Sequence, residues 1–108
     1  NSIEEKILWL KENTNIDVQF HDTDSVSWLK TAEGQYDFIF IDGDHSYVGV
    51  KADFEGALPL LKEGGFVAFH DVASEQCPGV VQLWNEIKNE RCLEFIHTNR
   101  CGIGVWTK

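Results

Sequence analysis

The segment Asp37-Phe38-Ile39-Phe40-Ile41-Asp42 constrains the fold of this chain more than any other. An unbroken run of large apolar side chains between two carboxylates does not alternate, so it buries both of its faces. A strand of that kind belongs inside a parallel sheet. Gly65-Phe66-Val67-Ala68-Phe69 repeats the pattern and ends on His70-Asp71. Between the two runs the period changes, because Tyr47, Val50, Phe54, Ala57, Leu58 and Leu61 return at helical spacing from Ser46. This is an amphipathic helix, taken as residues 46–62, that Gly64-Gly65 terminates. Pro59 falls inside it, and a proline there removes a hydrogen bond at a cost of about 3 kcal/mol, so the last turns are expected to kink or tighten.

The flanks continue the alternation. Ser2-Ile3-Glu4-Glu5 reads as a capping box for a helix over residues 3–13, and a strand is expected over residues 16–20. Asp24 or Ser25 caps a short helix through Trp28 and Leu29 that Gly34 ends. Val80, Leu83, Trp84 and Ile87 mark a further helix, and Leu93, Phe95 and His97 alternate as a strand. Residues 102–106 read as a last, antiparallel strand on an edge, because the connection through Asn99 and Arg100 is too short for a crossover helix. The order implies an α/β three-layer sandwich: one domain over residues 1–108, with a mostly parallel, Rossmann-like sheet and a C-terminal antiparallel hairpin.

Composition narrows the function. With 18 acidic against 9 basic residues the net charge is −9, which repels nucleic-acid phosphates and anionic lipid, so neither nucleic acid nor membrane is an expected partner. No apolar run reaches the roughly 20 residues that span a bilayer, no signal peptide is evident, and a cytoplasmic location is expected. Cys77, Cys92 and Cys101 are an odd number without metal-binding spacing, and read as reduced packing residues. The chain has no methionine, as in a processed or excised piece. It also lacks the glycine-rich dinucleotide motif, the P-loop and the nucleophile elbow.

In open α/β sheets ligands bind beyond the carboxyl ends of the strands, and two polar clusters stand there. Asp42-Gly43-Asp44-His45 follows the first run, where Gly43 is expected to allow a sharp turn, and His70-Asp71 ends the second. If the strands are neighbours about 4.8 Å apart, Asp42, His70 and Asp71 converge in a ligand set suited to magnesium, calcium or manganese. The plainer alternative is structural: Asp44 or Ser46 caps the next helix, Asp42 binds loop amides and His70 is a satisfied strand-end histidine. Asp22, Thr23, Asp24 and Ser25 follow the first strand, where a helix cap is the simpler reading. His21, beside Asp22 at the end of the first strand, is read as a solvated loop histidine with a ligand-facing role as the alternative, and His97 is expected on a solvent face.

The stretch YDFIFIDGDHSYVGVKADFEGALPLLKEGGFVAFHDV, residues 36–72, resembles the C-terminal half of class I S-adenosylmethionine-dependent methyltransferases, in the small-molecule O-methyltransferase-like branch. The resemblance implies O-methyl transfer from S-adenosylmethionine to a small-molecule acceptor. It implies that Asp42, His70 and Asp71 occupy the positions of divalent-cation ligands, with magnesium or manganese as the ion. Asp44 or His45 is then the general base, and Asp24, Ser25 and Asp42 lie on the cofactor side. The family's first strands and glycine-rich loop have no counterpart here. The chain is therefore expected to be a C-terminal portion whose exposed sheet edge promotes homo-oligomers, in the simplest case a homodimer. Two readings from other classes compete: a metal-dependent hydrolase or phosphoesterase built on the same five polar residues, and a non-catalytic α/β interaction module.

Overall fold

The two apolar runs form neighbouring parallel strands. The computed structural model describes residues 2–16, 18, 21, 24–96 and 101–108. Strand β1 (Tyr36–Ile41) pairs with β2 (Leu61–His70) so that Ile39 faces Val67 and Ile41 faces Phe69. Helix α3 (Tyr47–Ala57) and a 3-10 turn (Leu58–Leu60) connect them. Pro59 stands in that turn, so the expected tightening is present. The helix gives way to strand at Leu61, earlier than Gly64-Gly65, and the register shifts between Tyr36 and Phe38 to absorb the extra residues. Lys108 Nζ donates to the carbonyls of Leu58 and Leu61 at 2.9 and 2.6 Å, satisfying acceptors that the ending helix exposes.

Helix α1 (Ile3–Asn13) starts where Ser2 accepts the Glu5 amide, and α2 (Ser25–Thr31) where Asp24 accepts that of Ser27. Of the strand expected over residues 16–20, Ile16 and Val18 lie outside any strand, and the other three fall outside the described residues. Asp22, Thr23, His97, Asn99 and Arg100 fall outside them too. Helix α4 (Pro78–Ile87) packs beside α3, and the Tyr47 hydroxyl donates to Glu86 across the pair at 2.7 Å. Then β3 (Leu93–Phe95) and β4 (Ile103–Thr107) form the expected antiparallel hairpin.

The hairpin is placed differently from the expectation. Sheet order is β1-β2-β4-β3, so β4 is interior and, among the described strands, the edges are β1 and β3. The reason is burial: Gly104 is buried and Trp106 packs edge-on against Phe54 at 5.1 Å, whereas the three residues of β3 are all exposed and suit an edge. The sheet is mixed, with one parallel pair and two antiparallel pairs.

Registration sorts the side chains. Ile39, Ile41, Val67, Phe69 and Trp106 point toward α3 and α4, where Val50, Phe54, Ala57, Val80, Leu83 and Trp84 complete the core. On the opposite face Phe38, Phe40, Phe66 and Phe95 remain 45–61% exposed. Among the described residues, α3 and α4 cover one face of the sheet only.

The core is tight where β4 meets α4. A Cβ on Gly104 would come within 2.6 Å of the Trp84 indole, which is 2% exposed and donates to Glu94 at 2.7 Å. Gly104→Val should therefore cost about 1–3 kcal/mol through overpacking. A urea-denaturation midpoint equal to that of the parent protein would show that this contact does not limit stability.

Candidate active site

Parallel pairing brings the two polar clusters together. Because Ile41 lies opposite Phe69, the next residues, Asp42 and His70, emerge side by side. His70 Nδ1 lies 3.4 Å from Asp42 Oδ1 and 3.1 Å from Asp71 Oδ1. His45 Nε2 lies 3.1 Å from Asp71 Oδ2 and 4.0 Å from Asp42 Oδ1. Asp71 thus offers one oxygen to each imidazole. One ligand atom from each of Asp42, His70 and Asp71 lies within 4.8 Å of the others, and His45, Asp71 and Cys77 form a second such group. Two carboxylates and an imidazole at this spacing suit a hard or borderline divalent cation.

Burial divides the cluster. The side chain of Asp71 is 7% exposed, whereas those of Asp42, His45 and His70 are 38–51% exposed. Burial works against the charged form of Asp71. Hydrogen bonds from the Cys101 thiol and from His70, with the adjacent His45, outweigh it and hold the carboxyl below its ordinary range. The same contact pushes the Cys101 thiol up, chiefly through its hydrogen bond to the carboxylate. Asp71 is also the one non-glycine residue among those described with a left-handed backbone, at φ 71°. Its N–H donates to Gly102 and that of Ala73 to Cys101, at 3.0 and 2.8 Å, so the end of the hairpin loop holds the turn in place. The sharp turn expected at Gly43 is not left-handed. With asparagine, a short polar aspartate is among the side chains that take the left-handed conformation most readily, which suits it to the turn at position 71.

The loop after β1 is fixed at both sides. Asp44 Oδ1 accepts the Ser46 N–H at 2.8 Å, and Ser46 Oγ caps α3 by accepting the Gly49 N–H at 3.1 Å. The Ser46 amide, then its hydroxyl, lowers the Asp44 carboxyl below its ordinary range. Asp44 is therefore engaged in the helix start, while His45 reaches across to Asp71. Gly79, at the start of α4, lies so close under this loop that a Cβ would meet the His45 carbonyl at 2.7 Å.

Beside the cluster a cleft of about 310 Å³ opens between α2, α3 and the tip of β1, and Ser25, Trp28, Asp42, Gly43 and Asp53 line it. Asp24 itself is taken up by capping, since its Oδ2 accepts from both Ser27 N and Ser27 Oγ. Ser25 Oγ donates to Asp53 Oδ1 at 2.7 Å and so ties α2 to α3. The ring of His21 leans on that of Trp28 at 5.6 Å.

Two residues of this region were not singled out by sequence reasoning. Asp53 is 5% exposed although charged. Its signal was available: it falls between Val50, Phe54 and Ala57 on the core-facing stripe of α3, where a carboxylate needs a partner. Cys101 reaches Asp71 only because the hairpin returns there, and no local pattern marks it.

Residues 4–72 match the profile of a family described as a methyltransferase domain. The uncharacterized protein y4gI of Sinorhizobium fredii (strain NBRC 101917 / NGR234) is 37% identical over 78 residues, covering 70% of this chain and 9% of that protein. Among solved structures, the O-methyltransferase from Bacillus cereus in complex with SAH aligns with a TM-score of 0.62 at 22% identity, covering 97% of this chain and 56% of its own. CalS11, a TDP-rhamnose 3'-O-methyltransferase in calicheamicin biosynthesis, aligns with a TM-score of 0.56 at 16% identity, covering 85% of this chain and 40% of its own. These two likenesses concern the fold, and the chain spans about half or less of each relative's length. The profile match runs through the β1–α3–β2 crossover and both polar strand tips, and by it the chain belongs to the methyltransferase-domain family.

Proposed function

We propose that the chain carries the acceptor-activating side of an S-adenosylmethionine-dependent O-methyltransferase acting on a small-molecule hydroxyl. The observation that supports this reading is the convergence of Asp42, His70, Asp71 and His45 at two adjacent parallel strand tips, next to a cleft of its own. The family match and O-methyltransferase neighbours support the same class of reaction.

In this reading Asp42, His70 and Asp71 hold a magnesium or manganese ion. Such an ion, when bound, supplies Lewis acidity that lowers the pKa of a substrate hydroxyl. S-adenosylmethionine, when bound, supplies an electrophilic methyl group. Asp71, buried and ionised, fixes the ring of His45 through Nε2. Nδ1 is then the nitrogen that takes the hydroxyl proton, so the role of base goes to His45 and that of loop anchor to Asp44. Ser25 and Asp42 contact the cofactor from the walls of the cleft, and Asp24 acts there through the helix it caps. Holding both reactants at one strand-tip platform is the source of the rate gain.

Partners follow from the surface. The β1 edge, unpaired among the described residues, and the apolar face beside it favour self-association, a homodimer being the simplest form. Among the described residues no helix is long and apolar enough to cross a membrane, and a cytoplasmic setting completes the reading.

Titration calorimetry with S-adenosylhomocysteine tests the reading directly. No segment of the chain resembles the family's glycine-rich loop, so a dissociation constant of roughly 0.1–1 mM is expected, about 4 to 5.5 kcal/mol. A folded sample without measurable binding at about 10 mM overturns the assignment for this chain. The metal arm is separate. Asp42→Ala should weaken Mn²⁺ binding at least about tenfold in an electron-paramagnetic-resonance titration. Asp37→Ala, at the opposite end of β1 and paired with Lys62, should leave it unchanged. Equal losses in both variants would remove Asp42 from the ligand set.

A further inference from the structure

Asp71 stands between two imidazoles and offers each a different oxygen. Its Oδ1 lies 3.1 Å from His70 Nδ1, on the side of Asp42, and its Oδ2 lies 3.1 Å from His45 Nε2. On the His45 side a third donor arrives from the start of α4. Cys77 precedes that helix as its N-cap: its N–H donates to the Ser74 carbonyl at 3.1 Å, and its carbonyl accepts the Val80 and Val81 amides at 3.1 and 3.2 Å. The backbone is thus fixed on both sides, while the thiol makes no capping hydrogen bond. One donor atom from each of His45, Asp71 and Cys77 lies within 4.8 Å of the other two. Close backbone approach holds them there, since a Cβ on Gly79 would meet the His45 carbonyl at 2.7 Å.

Donor chemistry separates this group from its neighbour. Asp42, His70 and Asp71 offer two carboxylates and an imidazole, whereas a thiolate in place of one carboxylate selects against magnesium, calcium and manganese and in favour of zinc. Zinc holds nitrogen and oxygen at about 2.0–2.2 Å and sulfur at about 2.3 Å, which spaces a tetrahedral set about 3.3–3.8 Å apart. The widest separation in the group, 4.8 Å, then closes with a shift of about 1 Å. His45 can supply it, because its side chain is 51% exposed, while Asp71 and Cys77 are buried behind it. Two fixed inner donors and one mobile donor at the solvent side also give an ion its way in. The Cys101 thiol, hydrogen-bonded to Asp71, is an outer partner that orients the carboxylate.

We propose that His45, Asp71 and Cys77 form a zinc site at the start of α4, separate from the Asp42 set and using the Asp71 oxygen that faces His45. On binding, the Cys77 thiol proton leaves to solvent, and the His45 ring proton resides on Nδ1 so that Nε2 faces the ion. The ion ties the loop after β1, the end of β2 and the start of α4 into one unit. That dispersal over three segments is why cysteine spacing in the sequence gives no sign of it. The inference needs neither cofactor nor methyl acceptor and stands apart from the methyl-transfer reading.

The test titrates the protein, kept reduced with a phosphine, with cobalt(II) as a spectroscopic substitute for zinc. A thiolate-to-cobalt charge-transfer band should grow to a single equivalent and be bleached by added zinc. A parent protein without that band overturns the assignment, and this arm needs no variant to fold. Cys77→Ser should abolish the band, whereas Cys92→Ser, which removes a sulfur that accepts the Asn89 N–H, should keep it. Full intensity in Cys77→Ser overturns the proposal. Because even outer partners of a metal site are worth about ten- to a hundredfold in affinity, His45→Ala should weaken zinc at least about tenfold in competition with a chromophoric chelator. Unchanged affinity there means thiol binding alone and overturns the site. Asp42→Ala should retain the band, and its loss would merge the two sets into one and overturn the claim of a second site. S-adenosylhomocysteine enters none of these measurements, so their failure leaves the methyl-transfer reading untouched.

Discussion

The parallel pairing of β1 with β2 is the constraint on which the rest of the structure depends. Two parallel strands cannot be joined by a turn, so the chain must travel back over the sheet, and α3 with its 3-10 end is that return path. The same path lays Val50, Phe54 and Ala57 on Ile41, Val67 and Phe69, which makes the connection and the core one object. Register then decides the chemistry. With Ile41 opposite Phe69, both strands end together and Asp42 meets His70. A slip of one residue would turn Phe38 and Phe40 toward the helices and pull the polar tips apart.

The polar tips would repel one another without the imidazoles between them. A chain with net charge −9 places Asp42 and Asp71 around the same point, and His70 lies within 3.1–3.4 Å of both. Strand alternation explains why the two carboxylates differ. Asp42 and His70 follow the parity of the uncovered face and are partly exposed, whereas Asp71 follows the helix-covered parity and is buried. Its left-handed backbone is held by Gly102 and its carboxylate by Cys101, so the loop that leads into the last strand secures the centre of the cluster. This ties the C-terminal hairpin to a strand-tip cluster that its own sequence does not suggest.

Local pattern carried the reading of β1, α3 and β2 as elements, since each is specified by neighbours in sequence. The apolar runs at residues 38–41 and 66–69, the period of α3 and the Ser2 and Asp24 caps all write their structure locally. Burial of both faces of the two runs, expected from their lack of alternation, is not found: Phe38, Phe40 and Phe66 are 45–56% exposed, and β1 is an edge among the described strands. The position of β4 did not, because whether a hairpin adds by its first or its second strand depends on which one can bury Trp106 and Gly104 against α3 and α4. Asp42, His70 and Asp71 could be brought together on paper because parallel strand ends are a general rule. Asp53 and Cys101 could not, because one acts through a pairing 28 residues away and the other through a loop return.

The uncovered sheet face bears on the same site. Phe38, Phe40, Phe66, Leu93, Phe95 and Ile103 lie on it by register, and no Asp, Glu, Lys or Arg shares their parity in residues 38–41 of β1, in β4, in β3 or in residues 66–70 of β2. At roughly 200 Å² per aromatic side chain, the half-exposed phenylalanines alone leave about 400 Å² of apolar surface in water, the size of a functional patch on a monomer. Asp42 and His70 stand at the end of this face. Any surface that packs on it also withdraws water from them, and an ion pair near a covered surface is several times stronger than one in bulk solvent. Coverage of the apolar face and the electrostatic strength of the strand-tip cluster are therefore linked through the alternation of two short strands.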